Sequence, residues 1–114
     1  MAKRPFLPKN QAALAETAVS DMGYTLMIFR AWELIARARL RLLENNLGLA
    51  QADVAEADEM LQFLIVALPE EAAESAAMQT VQTRLALAAD NLILAPAIAA
   101  ADLETAWDVL DQNF

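Results

Sequence analysis

The feature that most constrains the fold is a stretch that occurs twice in the chain, 45 residues apart. Residues 39–55, RLRLLENNLGLAQADVA, align without a gap with residues 84–100, RLALAADNLILAPAIAA. Nine of the 17 aligned positions are identical, and they include an arginine (Arg39 and Arg84) and an asparagine, which a bias toward alanine and leucine does not supply. Each copy has the pattern of one helix ending and another beginning. The chain is therefore predicted to contain two helical hairpins.

The spacing of apolar residues predicts helices throughout and no strand, because apolar and polar residues nowhere alternate with a period of two. A first helical stretch follows Asn10, and Gly23 kinks it or splits it from the next helix. We predict an all-α fold, an antiparallel bundle of four to five helices. Its parts are a basic, flexible arm (residues 1–9) and one helical domain (10–114), with hairpin one at 24–68 and hairpin two at 69–112.

Punctuation residues predict where these helices begin and end. Asn45 and the residues after it, Asn46-Leu47-Gly48, predict a helix stop, since Asn and Gly tolerate the left-handed conformation. Pro69, with glutamates behind it, predicts the start of the third helix, and Pro96 the first turn of the last one. The four main helices are expected at about 24–45, 49–67, 69–89 and from 96 onward.

Composition excludes most catalytic chemistry. The chain has no His, no Cys and only two Gly among 114 residues. Zinc sites, nucleophile–histidine pairs and glycine-rich phosphate loops are therefore excluded. The remaining carboxylate clusters are the ordinary features of solvated helix surfaces. We predict a protein that is not an enzyme, with no metal and no cofactor.

Charge and hydropathy indicate the compartment and the class of partner. Hydrophobic residues make up 58% of the chain, but many are alanine, and no uncharged apolar run reaches the roughly 18 residues of a membrane span. Lys3, Arg4 and Lys9 are basic, so residues 10–114 carry a net charge of −11, which disfavours nucleic acid and acidic membranes. The absence of cysteine and of an export signal favours the cytoplasm.

Small residues lie where the helices of each hairpin are expected to cross. In hairpin one the residues that carry the pattern are Ala38, Leu47, Ala50, Val54 and Ala57. This spacing resembles a divergent tetratricopeptide-type repeat, and the resemblance covers about residues 28–110. It implies stacked helical hairpins and a role as a scaffold or adaptor that binds another protein.

The two arginines of the repeat have two interpretations. Arg39 is about 200° around the helix from Arg37, which places it on the apolar side and predicts partial burial. A partly buried guanidinium needs a partner, so we expect Arg39 to bond an acid of the following helix (Asp53 or Asp58) or a helix-end carbonyl, and Arg84 to bond Asp102. The alternative is an anion site between the hairpins.

The strongest evidence for partner binding lies near the N-terminus. The segment around Met22, Tyr24, Met27 and Phe29 is apolar on nearly every side of the helix. This apolar surface is larger than one neighbouring helix can cover. Either the helical stretch 10–22 folds over it within the monomer, or a twofold partner supplies the same surface. The basic arm adds a second candidate contact through Phe6 and Leu7.

Two functions remain open from the sequence. The first is a non-enzymatic interaction or assembly subunit, a scaffold or adaptor that binds a protein, possibly a second copy of itself, through these N-terminal apolar residues. The second is a small bundle that binds an organic or anionic ligand between the hairpins near Arg39 and Arg84.

Overall fold

A computed structural model describes the backbone of residues 9–68 and 72–114, and the side chains of 22–68 and 72–114. The described chain forms four helices: α1 (Lys9–Leu43), α2 (Leu47–Ala67), α3 (Ala73–Asn91) and α4 (Pro96–Asn113). No strand occurs within those residues, which confirms the predicted all-α bundle. Phe6 and Leu7 of the basic arm lie outside the described residues, as do Pro69 and the two glutamates after it.

The four helices pack in a ring, in which each helix contacts two others. α1 contacts α2 and α4, and α3 contacts the same two helices from the opposite side. Within the described residues, the diagonal pairs α1–α3 and α2–α4 do not touch. Successive helices are joined by short connections, so neighbours in the ring run antiparallel.

The turn from α1 to α2 is built by its two asparagines. Asn45 has a φ of 59°, the left-handed conformation, and its N–H donates to the Leu42 carbonyl at 3.0 Å. The Asn46 N–H donates to the Arg41 carbonyl at 2.8 Å, which completes a Schellman helix end. Asn46 also caps α2, since its side-chain oxygen accepts from the Leu49 N–H at 3.3 Å. The predicted helix stop is confirmed.

The other helix starts follow the sequence less closely. Pro96 occupies the first turn of α4, as predicted. α2 begins at Leu47, two residues before its expected start, and includes Gly48 in its first turn. α3 begins at Ala73 rather than Pro69, and its N-cap residue Ala72 has no side-chain cap. Glu74, in the first turn of α3, has the favourable position near the positive end of the helix dipole.

α1 runs through Gly23 as one continuous helix, so the predicted split at this glycine is wrong. A single glycine lowers helix propensity by about 1 kcal/mol, which a long helix tolerates. One consequence is that residues 10–22 do not fold back over the segment that follows them. α1 has 35 residues and α2 has 21, so at about 1.5 Å per residue α1 is about 20 Å longer than the helix it packs against.

The core lies on the ring axis and alternates small and large side chains. Fully buried alanines allow the helix backbones to approach, and leucines and isoleucine fill the space between them. The buried alanines include Ala31, Ala38, Ala50, Ala57, Ala88, Ala99 and Ala106. The largest buried side chains include Leu34, Ile35, Leu61, Leu64, Met78, Leu85, Leu103 and Leu110.

The two hairpins repeat, but with a register that differs from the alignment at 45 residues. The buried positions of α2 recur 49 residues later in α4. These positions are Ala50, Asp53, Val54, Ala57 and Leu61 in α2, and Ala99, Asp102, Leu103, Ala106 and Leu110 in α4. The repeated core motif is therefore an alanine, an aspartate followed by Val or Leu, a second alanine and a leucine.

In α1 and α3 the equivalent offset is 47 residues, because two more residues separate the matching core positions of the two helices in hairpin two than in hairpin one. Leu34 and Ala38 then correspond to Val81 and Leu85, and all four are buried. The gap-free alignment at 45 instead pairs buried Ala38 with exposed Thr83. Its matched asparagines also differ in role, since Asn46 caps α2 whereas Asn91 ends α3.

Candidate interaction surface

An apolar groove lies between α1 and α2 at the end of the bundle away from their turn. Its volume is about 470 Å³, and Gly23, Tyr24 and Met27 of α1 form one wall. The other wall is formed by Phe63, Leu64 and Ala67 of α2 and by Leu68, which follows its last residue. We call this the α1–α2 groove.

Four large apolar side chains on this part of α1 and α2 are exposed to solvent. Met22 and Leu26 on α1 are 66% and 65% exposed, and Phe63 and Val66 on α2 are 65% and 78% exposed. Phe63 lines the groove, and each of the other three is next in sequence to a residue that lines it. We call these four residues the outer apolar face. Isolated exposed apolar residues are ordinary, but a group beside a groove is typical of an interaction site.

A second groove lies on the opposite side of α1, toward α4. It has a volume of about 530 Å³, and its lining includes Tyr24, Phe29, Leu68 and Phe114. Phe29 stacks on Trp32 with ring centroids 6.4 Å apart. Trp32 in turn packs against Trp107 of α4 at 5.0 Å, so an aromatic row continues from this groove into the α1–α4 interface.

Tyr24 lines both grooves and has an unusual hydroxyl. Its oxygen is buried and has no hydrogen-bond partner among the described residues. Burial raises the pKa of the Tyr24 phenol above its ordinary value, and the nearby negative charge of Glu74 raises it further. An unpartnered polar atom beside an apolar groove leaves a hydrogen-bonding position that an occupant of the groove could fill.

Gly23 leaves the helix backbone open to the α1–α2 groove. A methyl group built at this position meets no atom within 4 Å. The φ of Gly23 is not positive, so the backbone conformation does not require a glycine there. Among the described residues, neither space nor conformation explains why a glycine interrupts this helix.

An ion-pair network borders the groove further along α1. Arg30 binds Glu33 on its own helix and donates to Glu56 of α2 at 2.7 Å. These bonds, with the one to Glu56 contributing most, raise the pKa of the Arg30 guanidinium above its ordinary value. Arg37 reaches Asp53 of α2 at 3.5 Å. These charged side chains therefore join α1 to α2.

The predicted partner of Arg84 is confirmed. The described residues show neither of the bonds predicted for Arg39, to Asp53 or Asp58 or to a helix-end carbonyl, so that prediction is wrong for them. Arg84 donates to Asp102 at 3.3 Å. Arg39 is partly buried as expected, but it makes no ion pair within the described residues. Seven residues separate Arg39 from Trp32, so both lie on the row that faces α4, while the two aspartates belong to α2.

Arg37 has the place in hairpin one that Arg84 has in hairpin two. The arginine side chains are 43% and 42% exposed, and those of their aspartates 9% and 11%. Arg39 and Arg84 line neither of the two grooves described above. The structure therefore gives no specific observation in favour of the ligand-binding alternative.

The predicted N-terminal contact residues are divided between the two sides of α1. Met27 lines the α1–α2 groove, Phe29 lines the second groove and Tyr24 lines both, whereas Met22 is exposed and lines neither. The sequence reasoning missed Phe63 and Val66. Their signal was available, because the stretch from 61 to 68, LQFLIVAL, is apolar on more sides than its core seam requires.

Other exposed apolar residues lie at the opposite end of the bundle, where both hairpins turn. They include Leu43 of α1 and Leu94 of the α3–α4 turn. Neither residue lines either groove. Leu43 and Leu94 are therefore exposed apolar residues away from both grooves.

In the described part of the chain, no group of His, Cys, Asp and Glu side chains could hold a metal ion. None of its helices is long and apolar enough to cross a membrane. Comparison with protein-family models, with curated proteins and with solved structures gives no match for this chain.

Proposed function

We propose that this chain is a non-enzymatic interaction or assembly subunit that binds a protein partner through the α1–α2 groove and the outer apolar face. The observation that carries the proposal is an apolar groove whose lining residue Phe63 is 65% exposed, together with the exposed side chains of Met22, Leu26 and Val66, each next in sequence to a residue that lines the groove. Burying such side chains gains about 25 cal/mol per Å² of apolar surface removed from water.

Three further observations support a protein as the partner. The groove walls are almost entirely apolar, and aromatic side chains such as Phe63 are enriched in protein interfaces. The net charge of −11 over residues 10–114 opposes nucleic acid. The likeness of the hairpins to tetratricopeptide-type repeats supports a scaffold or adaptor role, and the lack of cysteine supports a reducing compartment such as the cytoplasm.

Site-specific photocrosslinking tests this function. A photoreactive phenylalanine analogue replaces Phe63 in the full chain, and the matched control carries it at Leu94, an exposed apolar position at the turn end. Irradiated cells are then examined for covalent adducts of the chain, and each adduct is identified by mass spectrometry. We expect a discrete adduct from position 63 and none of that mass from position 94.

Either of two results would contradict the proposed function. Position 63 could yield no adduct although the substituted chain is folded, or both positions could yield the same adducts in the same amounts. A second substitution, Val66→Glu, provides an independent check, because Val66 is exposed and a charge there leaves the core intact. It should abolish the adduct formed from position 63 without changing the helical circular dichroism signal.

A further inference from the structure

We infer that the occupant of the α1–α2 groove is a second copy of this chain, paired through α1 about a twofold axis near Gly23. This inference rests on the proposed interaction function and names its partner. In the pair, the two α1 helices cross antiparallel, so each contributes the same surface to the contact.

The first argument is the length of α1. About 20 Å of this helix has no counterpart in α2, and the helix is continuous, so its N-terminal part cannot fold back onto its own bundle. In an antiparallel pair, the second copy provides the packing surface that the N-terminal part of α1 lacks in the monomer. The N-terminal part of each α1 then runs along the outside of the other copy, beside the α1–α2 groove.

The second argument is Gly23. A glycine inside a helix costs about 1 kcal/mol relative to alanine, and neither the local space nor the backbone conformation of this chain requires one. A glycine that faces a groove permits a second backbone to approach closely. The position of Gly23 in the wall of the groove therefore marks where the two helices cross.

The third argument is size. A stable interface of standard area engages about 20–30 residues on each side. Residues 9–29 of α1 provide 21 positions, of which about half can face one partner, and the groove wall adds Phe63, Ala67 and Leu68. The available surface therefore suits a weak, concentration-dependent dimer rather than a permanent one.

The fourth argument is charge. Lys3, Arg4 and Lys9 are basic, whereas residues 10–114 carry −11. Antiparallel pairing directs the basic N-terminus of each copy along the acidic body of the other. A parallel pair would place the two basic ends together, which repulsion disfavours.

The oligomeric state of paired glycine variants provides the first test. Gly23→Ala is compared with Gly48→Ala, because both glycines are helical and neither has an atom within 4 Å of an added methyl group. Sedimentation velocity over about 1–100 µM should show the full chain associating toward twice its 12.4 kDa mass. Gly23→Ala should weaken that association by about tenfold, and Gly48→Ala should leave it within about twofold.

A second variant pair keeps this test decisive if one added methyl group is accommodated. Leu26→Glu places a charge on the outer apolar face, and Leu94→Glu places the same charge at the turn end. Both residues are exposed, so both variants should keep the fold. The assignment would be overturned if the Leu26→Glu variant still formed the dimer, or if Leu94→Glu abolished the dimer as strongly as Leu26→Glu. It would also be overturned if the full chain stayed monomeric throughout the concentration range.

Single cysteines test the antiparallel geometry, since the chain has no cysteine of its own. Met22→Cys lies next to the proposed axis and should form a symmetric disulfide in the oxidised dimer. Glu33→Cys is an equally accessible site on α1, but its two copies would be about 30 Å apart in this arrangement. Disulfides from both positions would indicate parallel helices and overturn the inference.

The outcome distinguishes this inference from the function on which it rests. Suppose that the chain is monomeric but position 63 crosslinks to a different protein. The interaction function then stands, and the second copy is excluded as the occupant. Crosslinks between two copies of this chain, lost with Leu26→Glu and kept with Leu94→Glu, are the result expected here.

Discussion

The hydroxyl of Tyr24 is the clearest local conflict in this molecule. A buried donor without a partner loses its hydrogen bonds to water and gains none from the protein. The described residues provide no acceptor for it, although the ring packs well between two grooves. Burial of the Tyr24 aromatic ring therefore stabilises the folded chain, whereas burial of its hydroxyl oxygen destabilises it.

Replacing Tyr24 with phenylalanine should stabilise the protein. The change keeps the ring and removes the unpartnered oxygen, so we expect the free energy of unfolding to rise by about 1 kcal/mol. Denaturant titration of both proteins measures the difference. A loss of stability of the same size would show that the hydroxyl has a partner that compensates for its burial.

The same residue makes stability depend on alkaline pH. The raised pKa of Tyr24 means that the unfolded chain releases this proton first, at a pH of about 10. The free energy of unfolding is therefore unaffected below that pH and falls as the pH rises from about 10 toward the folded pKa. The difference between wild type and Tyr24→Phe isolates this effect from lysine titration. Tyr24 is the only tyrosine, so tyrosinate absorbance follows it directly.

At the scale of elements, each hairpin has an ion pair between its two helices, and the two ion pairs occupy equivalent positions. Each pair places a largely buried aspartate of the second helix against a partly exposed arginine of the first. Removing the arginine leaves a carboxylate that is desolvated and unpaired. The loss is then larger than for an ordinary surface salt bridge.

Three arginine variants test this equivalence. Arg37→Met and Arg84→Met should each lower the free energy of unfolding by about 1 kcal/mol, because each leaves a buried aspartate without its ion-pair partner. Arg39→Met should change it by less than about 0.5 kcal/mol. Thermal or chemical unfolding ranks the three. If Arg39→Met proves as damaging as Arg84→Met, the equivalence of Arg37 with Arg84 is wrong.

The helices were predictable from the sequence because their signals are local. Asn45, Asn46 and Pro96 act through their own backbone geometry, so the neighbouring residues suffice to interpret them. Gly23 was misinterpreted for the same reason. A lone glycine weakens a helix only slightly, and the packing of α1 against α2 and α4 outweighs that local cost.

The repeat register and the partner of Arg39 were not predictable, because each depends on which helix faces which. Identity at an offset of 45 differs by two residues from the offset at which the core positions of α1 and α3 correspond, and a two-residue shift rotates a helical position by about 200°. Similarly, the apolar side of α1 that holds Arg39 was identified, but not that α4 covers it. Which helix covers which face is settled only in the complete bundle of four helices.

For the candidate site, the sequence indicated the correct segment of α1 and missed its α2 wall. Met22, Tyr24 and Met27 were recognisable from an excess of apolar residues around one helix. Phe63 lies 36 or more residues from these three along the chain, and only the antiparallel pairing of α2 with α1 brings it to the groove that Tyr24 and Met27 line. Such a surface belongs to the assembled hairpin.

At the scale of the whole molecule, the protein divides into a packed ring and a helical extension. The buried core residues of the ring extend from Ala31 to Leu110. The extension is the N-terminal part of α1, whose length exceeds that of the helix beside it. Stability of the isolated chain should therefore depend on the ring, and association on the extension together with the groove.

Deleting residues 1–21 in the Leu26→Glu background tests this division without interference from association. The slope of the unfolding free energy against denaturant scales with the surface exposed on unfolding. An extension that packs on nothing in its own chain contributes little to that surface. We therefore expect the slope to stay within about 10% of its full-length value and the free energy within about 0.5 kcal/mol. A slope reduced by about a fifth, in proportion to the deleted length, would show that the extension packs against its own bundle. The monomer would then have no unpaired α1 surface to offer a second copy.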